Sequence, residues 1–528
     1  MIMTFPRRVR RMTSGLNRLG LPEIPTCVGM TSGLLGSGLG RVAFCLGNAL
    51  TTVVLSAVLI APSGAQSSDD LPITTHHRGT FNGVKLDYAA TVEATTLSDP
   101  AVRFVTTSYV RKGGSRDRPV LFLFNGGPSS SSATLHIVGL GPKRIAVAQD
   151  PLQAAPSPRL LDNTDTVLDV ADLVFIDPAE TGFSRVLQAE ARTRVYSAFG
   201  DADSVAKFIE RWCRDHQRER SPKFVLGESY GTIRAALIAE RLAQSMPLEG
   251  VYLFGQAINI VETTQRSKNA VSYATNLPTL AAIAAYHGKA DRGGRTMEQF
   301  IDDVYAWGMS EYLNALLKGG DIPKAEQQRI AVTLQRLTGI SADYYLEQGL
   351  TITKVAFARE LLRERGKIVA QYDARYVGAA PKPGQRAADP FFAAIGSQMP
   401  LFTNYLQDEL GVKNAKDYRA NAPDTSDWKY DATGGAGGPF LDYDYQASLD
   451  KAFEANPNFR LMIGTGIYDL TTTIGPARYL LTQSRYPRDR VSLHQYEGGH
   501  MAYTNESALK AFANDVRALI SGPALRQP

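Results

Sequence analysis

The serine of Gly227-Glu228-Ser229-Tyr230-Gly231 stands directly after the apolar run Lys223-Phe224-Val225-Leu226 and directly before a helical pattern. In that setting of strand, sharp turn and helix, Gly-x-Ser-x-Gly builds a nucleophile elbow, and the glycines are needed because a side chain at either would crowd the crossing strand and helix. A serine is a weak nucleophile by itself. It needs a base, an acid that orients the base, and donors for the oxyanion that forms on attack. Of seven histidines only His494 and His500 follow the last strand signals, and His494 lies within a strand. His500 follows Glu497-Gly498-Gly499, which can turn the imidazole towards Ser229, so His500 is the candidate base. The strand Phe459 to Ile463 leads through Gly464-Thr465-Gly466-Ile467-Tyr468 to Asp469, which puts Asp469 on the loop where the acid belongs. Glu497 is the alternative, with Asp442 and Asp444 more remote. The Tyr230 N–H, next after the nucleophile, supplies one oxyanion donor, and the glycine-rich turn Asn125-Gly126-Gly127 supplies the second. The chemistry so assembled is acyl transfer through a serine ester, which requires no metal and no cofactor.

The elements that must position these residues are legible around them. Alternating runs from Phe81 onward read as strands, and the fully apolar Pro119-Val120-Leu121-Phe122-Leu123-Phe124 ends at Asn125. A second buried strand ends at Asp177-Pro178, and Asp203 to Arg218 has an apolar face of Val205, Phe208, Ile209, Trp212 and Cys213. The strand before Gly227 and a helix from Thr232 to about Ala243 complete the alternation, which predicts an α/β fold with a mainly parallel sheet covered by helices. The strand-helix repeat stops near Val261 and resumes near Ala447. We read 66–260 as the first part of the core, 261–447 as a mostly helical insertion capping the site, and 448–528 as the second part.

The first 65 residues are of another kind. Of 57 basic and 52 acidic side chains, six arginines and one glutamate fall before residue 66, which leaves 51 of each in the remainder. A body without net charge or basic block has no footprint for nucleic acid. Val42 to Ala61 is continuously apolar apart from small polar residues, with Arg41 in front and Ser63 and Ala65 behind, the pattern of a secretory signal cleaved after Ala65. The alternative is a retained anchor, since 20 residues can just span a bilayer. Met30 would give the leader an ordinary length. Cleavage would release a periplasmic or secreted protein with no stable membrane association and one cysteine, Cys213, hence no internal disulfide. His76-His77 is read as part of a disordered start of that mature chain.

Taken together, Asn125 to Ser132 (NGGPSSSS), Phe175 to Ser184 (FIDPAETGFS), Gly227 to Gly231 (GESYG) and Gly498 to Met501 (GGHM) resemble the serine carboxypeptidases, peptidase family S10, from Phe81 nearly to the C-terminus. The resemblance implies an α/β-hydrolase fold with a helical insertion and removal of C-terminal residues from peptides with a free C-terminus. It implies Ser229, Asp469 and His500 as triad, Gly127 and Tyr230 as oxyanion donors, and Asn125 and Glu228 as the pair that holds the substrate's terminal carboxylate. The chain departs from the family at Ser129 and Ser130, where glycine and cysteine are usual, and at Glu180, where glycine is usual. Where the family usually has Gly-Asp-x-Asp the chain has Gly466-Ile467-Tyr468-Asp469, so of the two aspartates it keeps only the catalytic one. Gly139 stands where the family has a glutamate that pairs with the one in GESY, so Glu228 needs another source of pKa elevation or another role, and arginines of the insertion are an alternative ligand for the carboxylate. An esterase or acyltransferase using the same triad is the competing reading.

Overall fold

The computed structural model describes residues 71–522, apart from 154–156, 158, 383, 386, 387, 397 and 431–442. The leader and Asp442 lie outside the described residues. Three strands open the fold as an antiparallel ribbon: β1 (Ile73–Phe81), β2 (Val84–Ser98) and β3 (Ala101–Arg111). His76 and His77 therefore belong to an edge strand rather than to a disordered start. The His77 ring stacks on Tyr88 of β2 at 5.3 Å. The expectation failed because an edge strand with one solvated face, here Thr-Thr-His-His-Arg, is as polar as a tail.

The remaining strands are β4 (Val120–Phe124), β5 (Asp172–Ile176), the short β6 (Arg185–Val186), β7 (Lys223–Glu228), β8 (Gly250–Phe254), β9 (Arg460–Gly466) and β10 (Val491–Tyr496). They complete a ten-stranded sheet of order β1-β2-β3-β5-β4-β7-β8-β9-β10, with β6 paired to β3. From β5 to β10 every pairing is parallel. Such strands are buried on both faces, which is why VLFLF and GVYLF are apolar throughout. Leu121 and Leu123 pack on one side against Leu509, Phe512 and Val516 of the last helix. Val120, Phe122 and Phe124 pack on the other, against the helices Ala198–Asp215 (α1) and Tyr230–Leu242 (α2). Helix α1 starts earlier than its apolar periodicity suggested, because Ser197 caps it by accepting from Gly200 N.

The chain leaves β4 towards β5 on one side and later returns to β7 on the other, so the strand order reverses between β4 and β7. In open α/β sheets this is where a crevice opens at the carboxyl ends of the strands. Register brings Phe124, Glu228, Phe254, Gly466 and Tyr496 to that edge. The loops that follow carry Asn125 to Gly127, Ser229, Asp469 and His500. With the elbow between β7 and α2, this is the α/β-hydrolase fold.

Between β8 and β9 the helices α3 (Ala270–Tyr286), α4 (Met297–Trp307), α5 (Lys324–Thr338) and α6 (Lys354–Glu360) enclose their own core of Leu277, Ile283, Phe300, Ile330, Leu334 and Phe357. Tyr468 and Leu470, which flank Asp469, are buried in that same core. Further on, Phe402 and Tyr405 sink into the core of the main sheet, and α7 (Tyr445–Ala455) lies with α2. Residue 447, where the sequence pattern set the end of the insertion, is inside α7. Among the described residues no helix is long and apolar enough to cross a membrane.

Candidate active site

Ser229 sits between β7 and α2 with φ 57° and ψ −128°, a conformation unfavourable for any side-chain-bearing residue. The neighbouring glycines make it possible. A Cβ on Gly227 would lie 2.1 Å from Gly231 O, and one on Gly126, in the facing turn, 2.6 Å from both Glu228 O and Tyr230 N. The turn after β4 is thus pressed against the elbow. It is held by Arg234 of α2, fully buried, whose guanidinium donates to Asn125 O (2.8 Å) and Pro128 O (3.0 Å) and pairs with Asp201 (2.7 Å). Neither the Gly127 N–H nor the Tyr230 N–H has an acceptor among the described residues; Tyr230 follows Ser229 directly, and Gly127 lines the same cavity as Ser229. Tyr230 N is one of the four donors that any helix start leaves unpaired.

Asp469 and His500 meet although 31 residues separate them: His500 Nδ1 lies 2.8 Å from Asp469 Oδ2. Asp469 Oδ1 accepts from Thr471 N (2.6 Å), Thr471 Oγ1 (2.6 Å) and Thr472 N (3.0 Å), and Oδ2 also accepts from Thr472 Oγ1 (2.6 Å). Burial by itself would raise this carboxyl, but His500 and the threonine donors outweigh it and hold Asp469 below the usual carboxylate range. The same pairing works in reverse on the base. Burial disfavours the imidazolium, yet the Asp469 charge and hydrogen bond, with help from Glu228, hold His500 above its ordinary value. Glu497 faces elsewhere, towards Arg375 at 3.6 Å and the Tyr468 hydroxyl. Asp444 caps α7.

The insertion enters the site through 371–374. His500 N donates to Tyr372 O (2.5 Å), Leu470 N to Gln371 O and Ala374 N to Tyr468 O. The Tyr372 ring stands edge-on to the imidazole at 5.1 Å. Lys354 of α6, buried, donates to Thr471 O (2.7 Å) and Thr263 O (2.6 Å). Burial pushes its ammonium down to about 8 against the pull of Asp469.

Ser229, His500, Asn125, Gly127 and Glu228 line one cavity of about 420 Å³, whose apolar walls include Ile137, Tyr372, Phe392 and Met399. Among the described residues no arginine or lysine lines it, so none of them offers a cation in place of the missing glutamate. Glu228 is 4 % exposed, and its Oε2 accepts from Asn125 Nδ2 (2.7 Å) and from the Tyr503 hydroxyl (2.6 Å). Burial pushes the Glu228 carboxyl up to about 7, although His500 and the Tyr503 hydrogen bond pull the other way. Burial therefore provides the elevation that a second carboxylate would otherwise give.

Two departures in the sequence have local explanations. Glu180 takes φ 68°, the left-handed conformation that favours glycine, and its carboxylate is held by Val186 N (2.8 Å) and Arg419 (2.7 Å). Ser130 Oγ donates to Asn421 Oδ1 (2.8 Å), a tie between the turn and the returning chain that needs no cysteine. Cys213 is buried and free. Sequence reading missed Arg234, Lys354, Tyr372, Tyr503 and the paired threonines. Thr471, Thr472 and Tyr503 stand within three residues of Asp469 or His500, the one available signal. The others reach the site only through the fold.

Residues 104–283 match the model of the family described as Peptidase S10, serine carboxypeptidase. No curated protein matches the chain as a relative. Among solved structures the chain is similar to proline iminopeptidase of Mycobacterium smegmatis, at 12 % identity and a TM-score of 0.35 over 81 % of this chain and 97 % of that one. It is also similar to the epoxide hydrolase of Aspergillus niger, at 12 % identity and a TM-score of 0.35 over 82 % and 78 %. A lipase in its open form is similar at 13 % identity and a TM-score of 0.31 over 85 % and 98 %. Likenesses of that size carry no argument about chemistry. The family match is of another kind, because 104–283, about a third of the chain, contains the β4 turn, the FIDPAETGFS segment and the elbow.

Proposed function

We propose that the protein is an exported serine carboxypeptidase that releases C-terminal residues from peptides through an acyl-enzyme on Ser229. His500 Nε2 takes the Ser229 proton as Oγ attacks the scissile carbonyl, while Asp469 holds the imidazole through Nδ1 and stabilises the imidazolium. The Gly127 and Tyr230 N–H groups receive the oxyanion, a service worth roughly 3 kcal/mol per donor in the transition state. The imidazolium then protonates the leaving amine, and water, deprotonated by His500, resolves the ester. The observation that carries the exopeptidase reading is the buried Glu228-Asn125 pair on the wall of the same cavity, beside the nucleophile. A protonated Glu228 can donate to a terminal carboxylate, whereas an ionised one repels it.

The test is kcat/KM against pH for a blocked dipeptide, its C-terminal amide and an ester analogue. Glu228 must be protonated, which holds below about 7, and His500 must be neutral, which fails as pH falls through its raised value. The free acid should therefore give a bell-shaped profile and be preferred on the acid side. In Glu228→Gln the alkaline limb should vanish, and the acid limb should move to lower pH because ionised Glu228 no longer supports the imidazolium. Preference for the amide or ester at every pH in both proteins would replace this reading with an esterase or acyltransferase. Export is tested separately. N-terminal sequencing of the mature protein should begin at Gln66, and a chain starting at Met1 or Met30 that stays with membranes through alkaline wash would establish an anchor.

A further inference from the structure

We propose that Tyr503 is a positioning residue that fixes the Glu228 proton on Oε1, so that one carboxyl, without a second beside it, can read a free C-terminal carboxylate. This rests on the carboxypeptidase reading above and deepens it. Glu228 Oε2 accepts from both Asn125 Nδ2 and Tyr503 Oη, which uses its two lone pairs. Neither donor can be reversed. Asn125 Oδ1 is committed to Leu135 N at 2.9 Å, which fixes the amide with its nitrogen towards Glu228. The phenol keeps its proton, because burial and the neighbouring Glu228 charge hold it well above its ordinary range, and among the described residues Glu228 Oε2 is the one acceptor that proton reaches. Oε1 has no partner among the described residues, and Glu228 lines the cavity. A proton on Oε2 would meet two donors, so it must reside on Oε1, where it can be given to a ligand carboxylate.

The ring lies beside Gly139: a Cβ there would meet Tyr503 Cδ2 in ordinary contact at 3.6 Å and Leu135 Cδ1 more tightly at 3.2 Å. On its other sides the ring packs at 5.5 Å from Phe254 and 6.2 Å from Phe512. Its hydroxyl cannot swing away without vacating that packing. The titratable groups around Glu228 are His500 and Tyr503 on the last loop, Asp469 after β9 and Tyr372 of the insertion.

The phenol hydrogen bond favours the ionised carboxylate, so its removal should raise Glu228 further. In Tyr503→Phe the alkaline limb of 1/KM for the free-acid dipeptide should move up by roughly half to one pH unit, the difference between hydrogen bonds to charged and neutral carboxyls. KM for the amide and ester should keep the wild-type profile, which a merely structural defect would not spare, and kcat should move only at its acid limb, towards lower pH, because less of Glu228 is ionised to support the imidazolium. The carboxylic C=O infrared band of Glu228, assigned by its loss in Glu228→Gln, should persist to higher pH in Tyr503→Phe. Adding Tyr503→Phe to Glu228→Gln should move no limb. An unmoved band and limb in Tyr503→Phe, with wild type still preferring the acid, would overturn the role of Tyr503 and leave the carboxypeptidase reading standing. A wild type that never prefers the acid would overturn both for substrate reading, with the infrared band still deciding where the proton is controlled.

Discussion

Ser229→Ala is expected to lower kcat about 10⁶-fold while leaving substrate affinity within a fewfold of wild type. Nucleophile, base and acid act as a unit, so removing the nucleophile forfeits the whole covalent route, and only the N–H donors and binding remain. Affinity should survive because the groups proposed to hold the peptide, Asn125 and Glu228, are anchored by Leu135 N, Tyr503 and each other, not by the serine hydroxyl. The measurement is single-turnover hydrolysis beside calorimetric binding, together with fluorophosphonate labelling at one site per chain in wild type and none in the variant. Residual turnover within a hundredfold of wild type would mean that another group is the nucleophile.

The second large effect is expected from Asp469→Asn, about 10⁴-fold in kcat. The surroundings dictate how the amide would sit. The Oδ1 position receives two backbone N–H groups and one hydroxyl, so the asparagine oxygen must stay there and its NH₂ must take the place of Oδ2. That NH₂ would face His500 Nδ1 and drive the imidazole proton to Nε2, where no proton from Ser229 can be accepted. Nitrogen-15 NMR of His500 should show the Nε2–H tautomer in the variant and Nδ1–H in wild type at alkaline pH. A variant that keeps the Nδ1–H tautomer, or loses less than tenfold in kcat, would remove Asp469 from its assigned role.

What could be read from the sequence was what local backbone geometry dictates. The elbow is a strand, a strained turn and a helix within about twenty residues, and β4 with its glycine turn is another short unit. His500 and Asp469 were legible because each follows a strand by one loop. Tyr503 was not, since its hydroxyl meets Glu228 across 275 residues, with its ring packed between Gly139, Phe254 and Phe512. For the glutamate missing at Gly139 the sequence left open another source of elevation or an arginine of the insertion, and burial of Glu228 supplies the elevation, a quantity that only the folded chain sets. The edge strand β1 was missed because polar alternation with one wet face carries no apolar signal.

The hydrogen bonds from residues 371–374 to Tyr468, Leu470 and His500 have a consequence for engineering and evolution. A cap that only covered a cleft could be exchanged for another to change selectivity, as a module. Here the segment that forms the cavity wall at Tyr372 also holds the backbone of the loops bearing the acid and the base. Recognition and turnover are thus written into one stretch of chain. Variation there is constrained twice, and a grafted insertion has to restore two loop registers before any new specificity could be detected as activity. Freer tuning of selectivity should come from Ile137 and Met399, which line the cavity outside the 371–374 segment.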